Sequence, residues 1–76
     1  MTNDVFEVRI EKENYNHYCA DPRAVYECLV RSKIDIETAI DASSWCELAC
    51  FDEIYEDRRD RFTIELIELE REFDLI

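Results

Sequence analysis

With 76 residues the chain has room for one domain and one modest core, and 47% apolar residues exclude a disordered polymer. Twenty Asp and Glu against nine Lys and Arg give a formal charge of −11, which repels phosphate backbones and anionic membranes and favours basic protein surfaces. The chain has no glycine, which excludes the phosphate-cradling loops and dinucleotide folds that need close backbone approach.

Residues 5–11 alternate, with Phe6, Val8 and Ile10 on one side and Glu7, Arg9 and Glu11 on the other, the period-two pattern of a half-buried strand. Residues 14–20 then read as a polar and aromatic loop. Asp21-Pro22 is a helix start, Asp as N-cap and Pro at the first helical position, where its missing N–H costs nothing. This helix runs to about Ser32 on an apolar stripe of Val25, Cys28 and Leu29, widened by Tyr26 and Val30. The polar Arg31-Ser32-Lys33 segment interrupts it, and Asp35 caps a second helix expected from Ile36 to about Phe51. Its inward side carries Ile36, Ala39, Ala42, Ser43, Cys46 and Cys50, with Glu37, Asp41, Ser44 and Leu48 opposite. Residues 52–60 are dense in charge and read as a connecting loop.

Residues 61–66 alternate again, Phe62, Ile64 and Leu66 inward and Thr63 and Glu65 outward, which predicts a second strand. From Ile67 the apolar register shifts by one position, as a bulge or a short helical tail would require. The expected fold is a single α+β domain over residues 1–76, a two-stranded sheet of N- and C-terminal strands packed against two central helices, with strand direction open. No run reaches the 18 apolar residues of a membrane span, and Met1-Thr2-Asn3-Asp4 lacks the basic start of a signal peptide. The expectation is a cytoplasmic protein with no membrane contact, whose four cysteines are reduced thiols or metal ligands.

Cys46 and Cys50, four apart on the expected helix, would share one face, and His17 and Cys19 alternate around Tyr18 and would point together from an extended backbone. The four make a Cys₃His set suited to structural Zn²⁺, with Cys28 as an alternative ligand. The competing reading takes Cys28, Cys46 and Cys50 as small core residues and His17 as a surface imidazole. No acid at a defined spacing orients His17 as a base for a cysteine nucleophile, and carboxylate pairs arise by chance among twenty acids, so no enzyme is expected.

Acids concentrate in residues 52–60 and 65–74, and the candidate partner-binding residues are Glu53, Glu56, Asp57, Glu65, Glu68, Glu70 and Glu72, with Tyr55 as an aromatic anchor. Glu68, Glu70, Glu72 and Asp74 would form one strand row with a charge every ~6.7 Å, sparser than duplex DNA at one per ~1.7 Å. The bland reading of these runs is a solvated face that keeps a small protein soluble. Tyr15, Tyr18 and Phe51 fall in or beside expected loops and are further candidates for contact.

In its strand, its helices, Trp45-Cys46-Glu47-Leu48-Ala49-Cys50 and the acidic stretch 62–70, the whole chain resembles the small phage-encoded anti-CRISPR inhibitors of Cas9, in size, charge and style. That family includes acidic members and at least one that carries zinc. The resemblance implies a non-enzymatic inhibitor that docks on a basic surface of a Cas9-type effector and blocks target-DNA loading or a conformational step. A zinc-stabilised structural or adaptor module is the alternative.

Overall fold

The computed structural model describes residues 4–68. The elements run β1 (Asp4–Ile10), β2 (Asn16–Cys19), α1 (Pro22–Arg31), α2 (Ile36–Glu47), β3 (Ile54–Asp57) and β4 (Phe62–Glu68), an α+β arrangement with a four-stranded antiparallel sheet in the order β2-β1-β4-β3. The two strands read from periodicity do pair, in the register Phe6↔Leu66, Val8↔Ile64 and Ile10↔Phe62, and their direction is antiparallel.

The expected two-stranded sheet is corrected to four, because the segments read as loops at residues 14–20 and 52–60 supply β2 and β3. Each of these strands has four residues, and one residue between them, Cys19, is buried. Such short, largely exposed strands show no period-two signal of their own. They form because β1 and β4 each have an open edge whose N–H and C=O groups need partners.

β4 runs to Glu68 without the bulge expected at Ile67. Ile67 sits opposite Val5 on the side of the sheet away from the helices, so the apparent slip is an apolar pair on the open face.

Asp21 caps α1, its side chain accepting from the Ala24 N–H at 2.8 Å, and Pro22 opens the helix as expected. Val25 and Leu29 are fully buried under it. The helix ends in a Schellman turn: Ile34 N–H donates to Leu29 C=O and Lys33 N–H to Val30 C=O, both at 3.0 Å. Lys33 takes the left-handed conformation there, φ 66°, where chains with glycine to spare place one. Ile34 then packs beside Leu29 in the core.

Asp35 caps α2 by accepting from the N–H groups of Glu37 and Thr38. Ala39, Ala42 and Cys46 are buried against α1 and the sheet, small residues that let the two helices approach closely. Three expectations for α2 are corrected: it stops at Glu47 instead of about Phe51, Ile36 is 56% exposed, and Cys50 lies beyond the helix on the surface. The end is fixed by tightened bonds from Leu48 N–H to Trp45 C=O and from Ala49 N–H to Cys46 C=O, after which Cys50 and Glu53 close a turn. In that turn Glu53 N–H donates to Cys50 C=O and Cys50 N–H donates to the Glu53 carboxylate, both at 3.1 Å.

The core lies between the helices and one sheet face, and at the β3 side it is closed by an aromatic run. Trp45 of α2 meets Tyr55 at 5.6 Å between centroids, and Tyr55 stacks on Phe62 at 5.8 Å.

Candidate functional site

Eight acids and no Lys, Arg or His occur between Lys33 and Arg58, a stretch of 24 residues that accounts for most of the net charge of −11. It builds α2, the linker after it and β3. Among the described residues one of these acids has a basic partner, Glu56, whose carboxylate lies 3.9 Å from Arg58. The same stretch carries five exposed large apolar side chains: Ile36 and Ile40 at 56% and 49%, Leu48 at 86%, Phe51 and Ile54 at 47% and 60%. On α2, Ile36 and Ile40 are one turn apart, and Glu37 and Asp41 form a parallel pair beside them. Like charges at that spacing cost the helix a few tenths of a kcal/mol, and no basic neighbour on α2 relieves it.

The open sheet face is organised differently. Glu7 sits directly opposite Glu65, flanked by Tyr18 on β2 and Ile54 on β3. Arg9 joins the two carboxylates, with Nη2 2.6 Å from Glu7 and 3.0 Å from Glu65. At the far end of the sheet, Arg58 and Arg61 mix with Glu11, Glu56 and Asp57 around a depression of about 590 Å³. That end is close to neutral and offers no one-signed field.

A second cluster lies beneath the β1–β2 hairpin. The register Phe6↔Cys19 and Val8↔His17 turns Cys19 and His17 to the helix side of β2, as their alternation predicted. His17 Nε2 lies 2.5 Å from the Glu13 carboxylate, which also accepts from the Ser32 hydroxyl at 2.9 Å. These contacts, led by the His17 hydrogen bond, hold the Glu13 carboxyl below the usual carboxylate range. The ring of Tyr15 stands edge-on to His17 at 5.0 Å. The thiols of Cys19 and of Cys28 on α1 shift each other's proton affinity, Cys19 down and Cys28 up, while burial pushes Cys46 up to about 12.

The expected zinc ligands are therefore divided. His17, Cys19 and the alternative ligand Cys28 are neighbours, Cys46 is buried in the core, and Cys50 is exposed in the linker because α2 ends before it. Among the described residues no three His, Cys, Asp or Glu side chains gather where a metal ion would sit.

The expected partner-binding residues also separate. Glu53, Glu56 and Asp57 fall in the acidic α2–β3 stretch, although Glu53 closes the Cys50 turn and Asp57 accepts from the Asp60 N–H at 2.8 Å. Tyr55 is half-buried in the aromatic run, with burial and nearby carboxylates raising its phenol. Glu65 faces the open side bound to Arg9, whereas Glu68, the first of the expected strand row, shares the side of Ile64 and Leu66. Glu70 and Glu72 lie outside the described residues. Sequence reasoning missed Ile36, Ile40 and Leu48 with Glu37, Asp41 and Glu47. The signal that marks them is the absence of any base between Lys33 and Arg58.

Among the described residues no helix is long and apolar enough to cross a membrane. The chain matches no known family model, no characterised protein and no solved structure.

Proposed function

We propose that this chain is a non-enzymatic inhibitor that binds a basic protein surface through its α2–β3 side and occludes it. The observation that supports the reading is the coincidence, in one stretch, of eight acids without a base and four exposed apolar side chains on α2 and the linker after it, Ile54 facing the open side of the sheet. A solvated face needs the charge but gains nothing from exposed Ile36, Ile40 and Leu48. A docking face uses both, the acids to steer and the apolar groups to hold. The specific partner we propose, following the resemblance to anti-CRISPR inhibitors, is a Cas9-type effector in the cytoplasm. Its nucleic-acid channels are positively charged, so an acidic ligand there would compete with target DNA or hinder a conformational step.

The test is target-DNA binding by a Cas9-type effector loaded with guide RNA, measured with increasing amounts of the chain and of its Glu37→Lys, Asp41→Lys variant. Wild type should suppress DNA binding. The variant, folded by circular dichroism, should need at least about tenfold more protein, equivalent to about 1.4 kcal/mol. Inhibition equal in the two, or tight binding of the chain to bare polynucleotide, rejects the proposal.

A further inference from the structure

The sheet ends at β2 on one side, since β2 pairs with β1 alone, and among the described residues no other hydrogen bond reaches the β2 backbone. Such an edge offers N–H and C=O groups to any strand that comes beside it, and edges are commonly guarded by charge. The opposite edge, β3, is guarded by Glu56 and Asp57. β2 is not: Asn14 to Ala20 is the longest uncharged run in a chain of which 38% is charged. Asn16 and Tyr18 belong to the open face of the sheet, and Tyr15 and Tyr18 are 63% and 52% exposed. The strand is held from behind, where His17 bonds the Glu13 carboxylate and that carboxylate accepts from the Ser32 hydroxyl at the end of α1. Pairing on this edge therefore costs little further ordering.

We propose that β2 is a self-association edge, on which a second copy of this chain pairs antiparallel about a two-fold axis and extends the sheet to eight strands, in the order β3-β4-β1-β2-β2-β1-β4-β3. Antiparallel is the direction that every pair in this sheet already has. Charge selects the occupant. Any second copy brings a charge of −11 with it, so only a side without net negative charge admits one. Residues 14–33, which build β2 and α1, carry Asp21 and Glu27 against Arg23, Arg31 and Lys33. The acid-rich stretch lies toward the far edge, where Trp45 of α2 meets Tyr55 of β3. In the paired form the two β3 strands stand about 34 Å apart at ~4.8 Å per strand spacing, several Debye lengths of about 8 Å. In every two-fold register within residues 14–20, the residues set opposite one another are uncharged. A basic strand from another protein would be drawn to the acids of β3, which leaves the neutral edge to the chain itself. The two docking sides then face outward at opposite ends of one dimer.

The experiment uses the full chain without a partner, its mass followed by sedimentation equilibrium from about 10 µM to about 1 mM, the range in which so short an edge would hold a dimer. The apparent mass should rise from 9.2 kDa toward twice that value. Salt should strengthen the pairing, because it screens the repulsion between two like-charged copies, whereas it weakens docking on a basic partner. Amide hydrogen exchange compared at the two ends of the range should show added protection confined to residues 14–20. Asn16→Glu puts a carboxylate on the edge of each copy, opposite Arg9 of β1, which spares the fold. That variant, with the circular dichroism of wild type, should need at least about tenfold more protein to pair. A monomeric mass throughout, protection that falls on α2 or β3 instead, pairing weakened by salt, or equal pairing by Asn16→Glu would each overturn the proposal. The docking reading stands or falls separately, because it is read from target-DNA binding by a protein partner.

Discussion

Arg9→Met removes the charge that lies between two opposed carboxylates while keeping an aliphatic stem over the sheet. β1 and β4 set Glu7 directly across from Glu65, an arrangement in which like charges repel, and Arg9 binds both at 2.6 Å and 3.0 Å. For carboxylates about 6 Å apart the repulsion is about 0.7 kcal/mol in bulk water and about 2.8 kcal/mol at an effective dielectric of about 20. The Arg9 side chain is 54% exposed, so solvent screening holds the effect toward the lower figure. The variant should lose about 1 kcal/mol at low salt, a large share of the roughly 3 to 5 kcal/mol that a core this small supplies. Urea unfolding followed by Trp45 fluorescence at low and high salt, with and without Glu65→Gln, measures it. The loss should shrink in high salt and fall in the Glu65→Gln background, where the Arg9–Glu7 pair remains. A loss that neither salt nor Glu65→Gln reduces would show that Arg9 acts by packing and refute the electrostatic account.

Lys33→Gly relieves a left-handed residue at φ 66° in the Schellman turn after α1, and net of the extra freedom of glycine in the unfolded chain it should stabilise by about 0.5 kcal/mol. A lower urea midpoint would mean that the Lys33 side chain contributes contacts that outweigh the backbone strain. The Glu13 carboxyl is depressed in the folded state by its His17 and Ser32 hydrogen bonds, so its contribution is present above the unfolded value and lost as pH falls through the folded one. Urea midpoints of wild type and Glu13→Gln should therefore converge on the acid side of the usual carboxylate range, and a gap that stays constant through that window would contradict the assignment.

The sequence made long elements with many buried residues legible and short ones not. β1, β4 and both helix starts follow from Phe6, Val8, Ile10, Phe62, Ile64 and the two capping aspartates, because each has a repeated pattern or a specific polar partner. β2 and β3 have no such pattern; the open edges of the neighbouring strands bring them into the sheet. The helix end was lost for a related reason: with no glycine to mark a stop, the Cys50–Glu53 turn that ends the α2 region is encoded in a side-chain carboxylate three residues ahead. That same misplaced end joined Cys46 to Cys50 in the expected metal set. The candidate surface was half legible, since charge density pointed to residues 52–60, while the acids of α2 were hidden by reading that helix for its inward face.

Where the charge falls along the chain matters more than its sum. Outside residues 34–57 the other twelve acids nearly balance nine bases, so beyond a Debye length of about 8 Å an approaching partner feels chiefly the α2–β3 side. On the proposed reading, that side orients the encounter, and Ile36, Ile40 and Leu48 make the contact that persists once the ions are screened. A groove built for phosphate alone offers cationic groups and no apolar recess, so it would hold this surface only at low salt. A matched partner must pair Lys and Arg with an apolar depression. Its association rate should fall steeply as salt rises while its dissociation rate changes little, because the charges act before contact and the isoleucines after it.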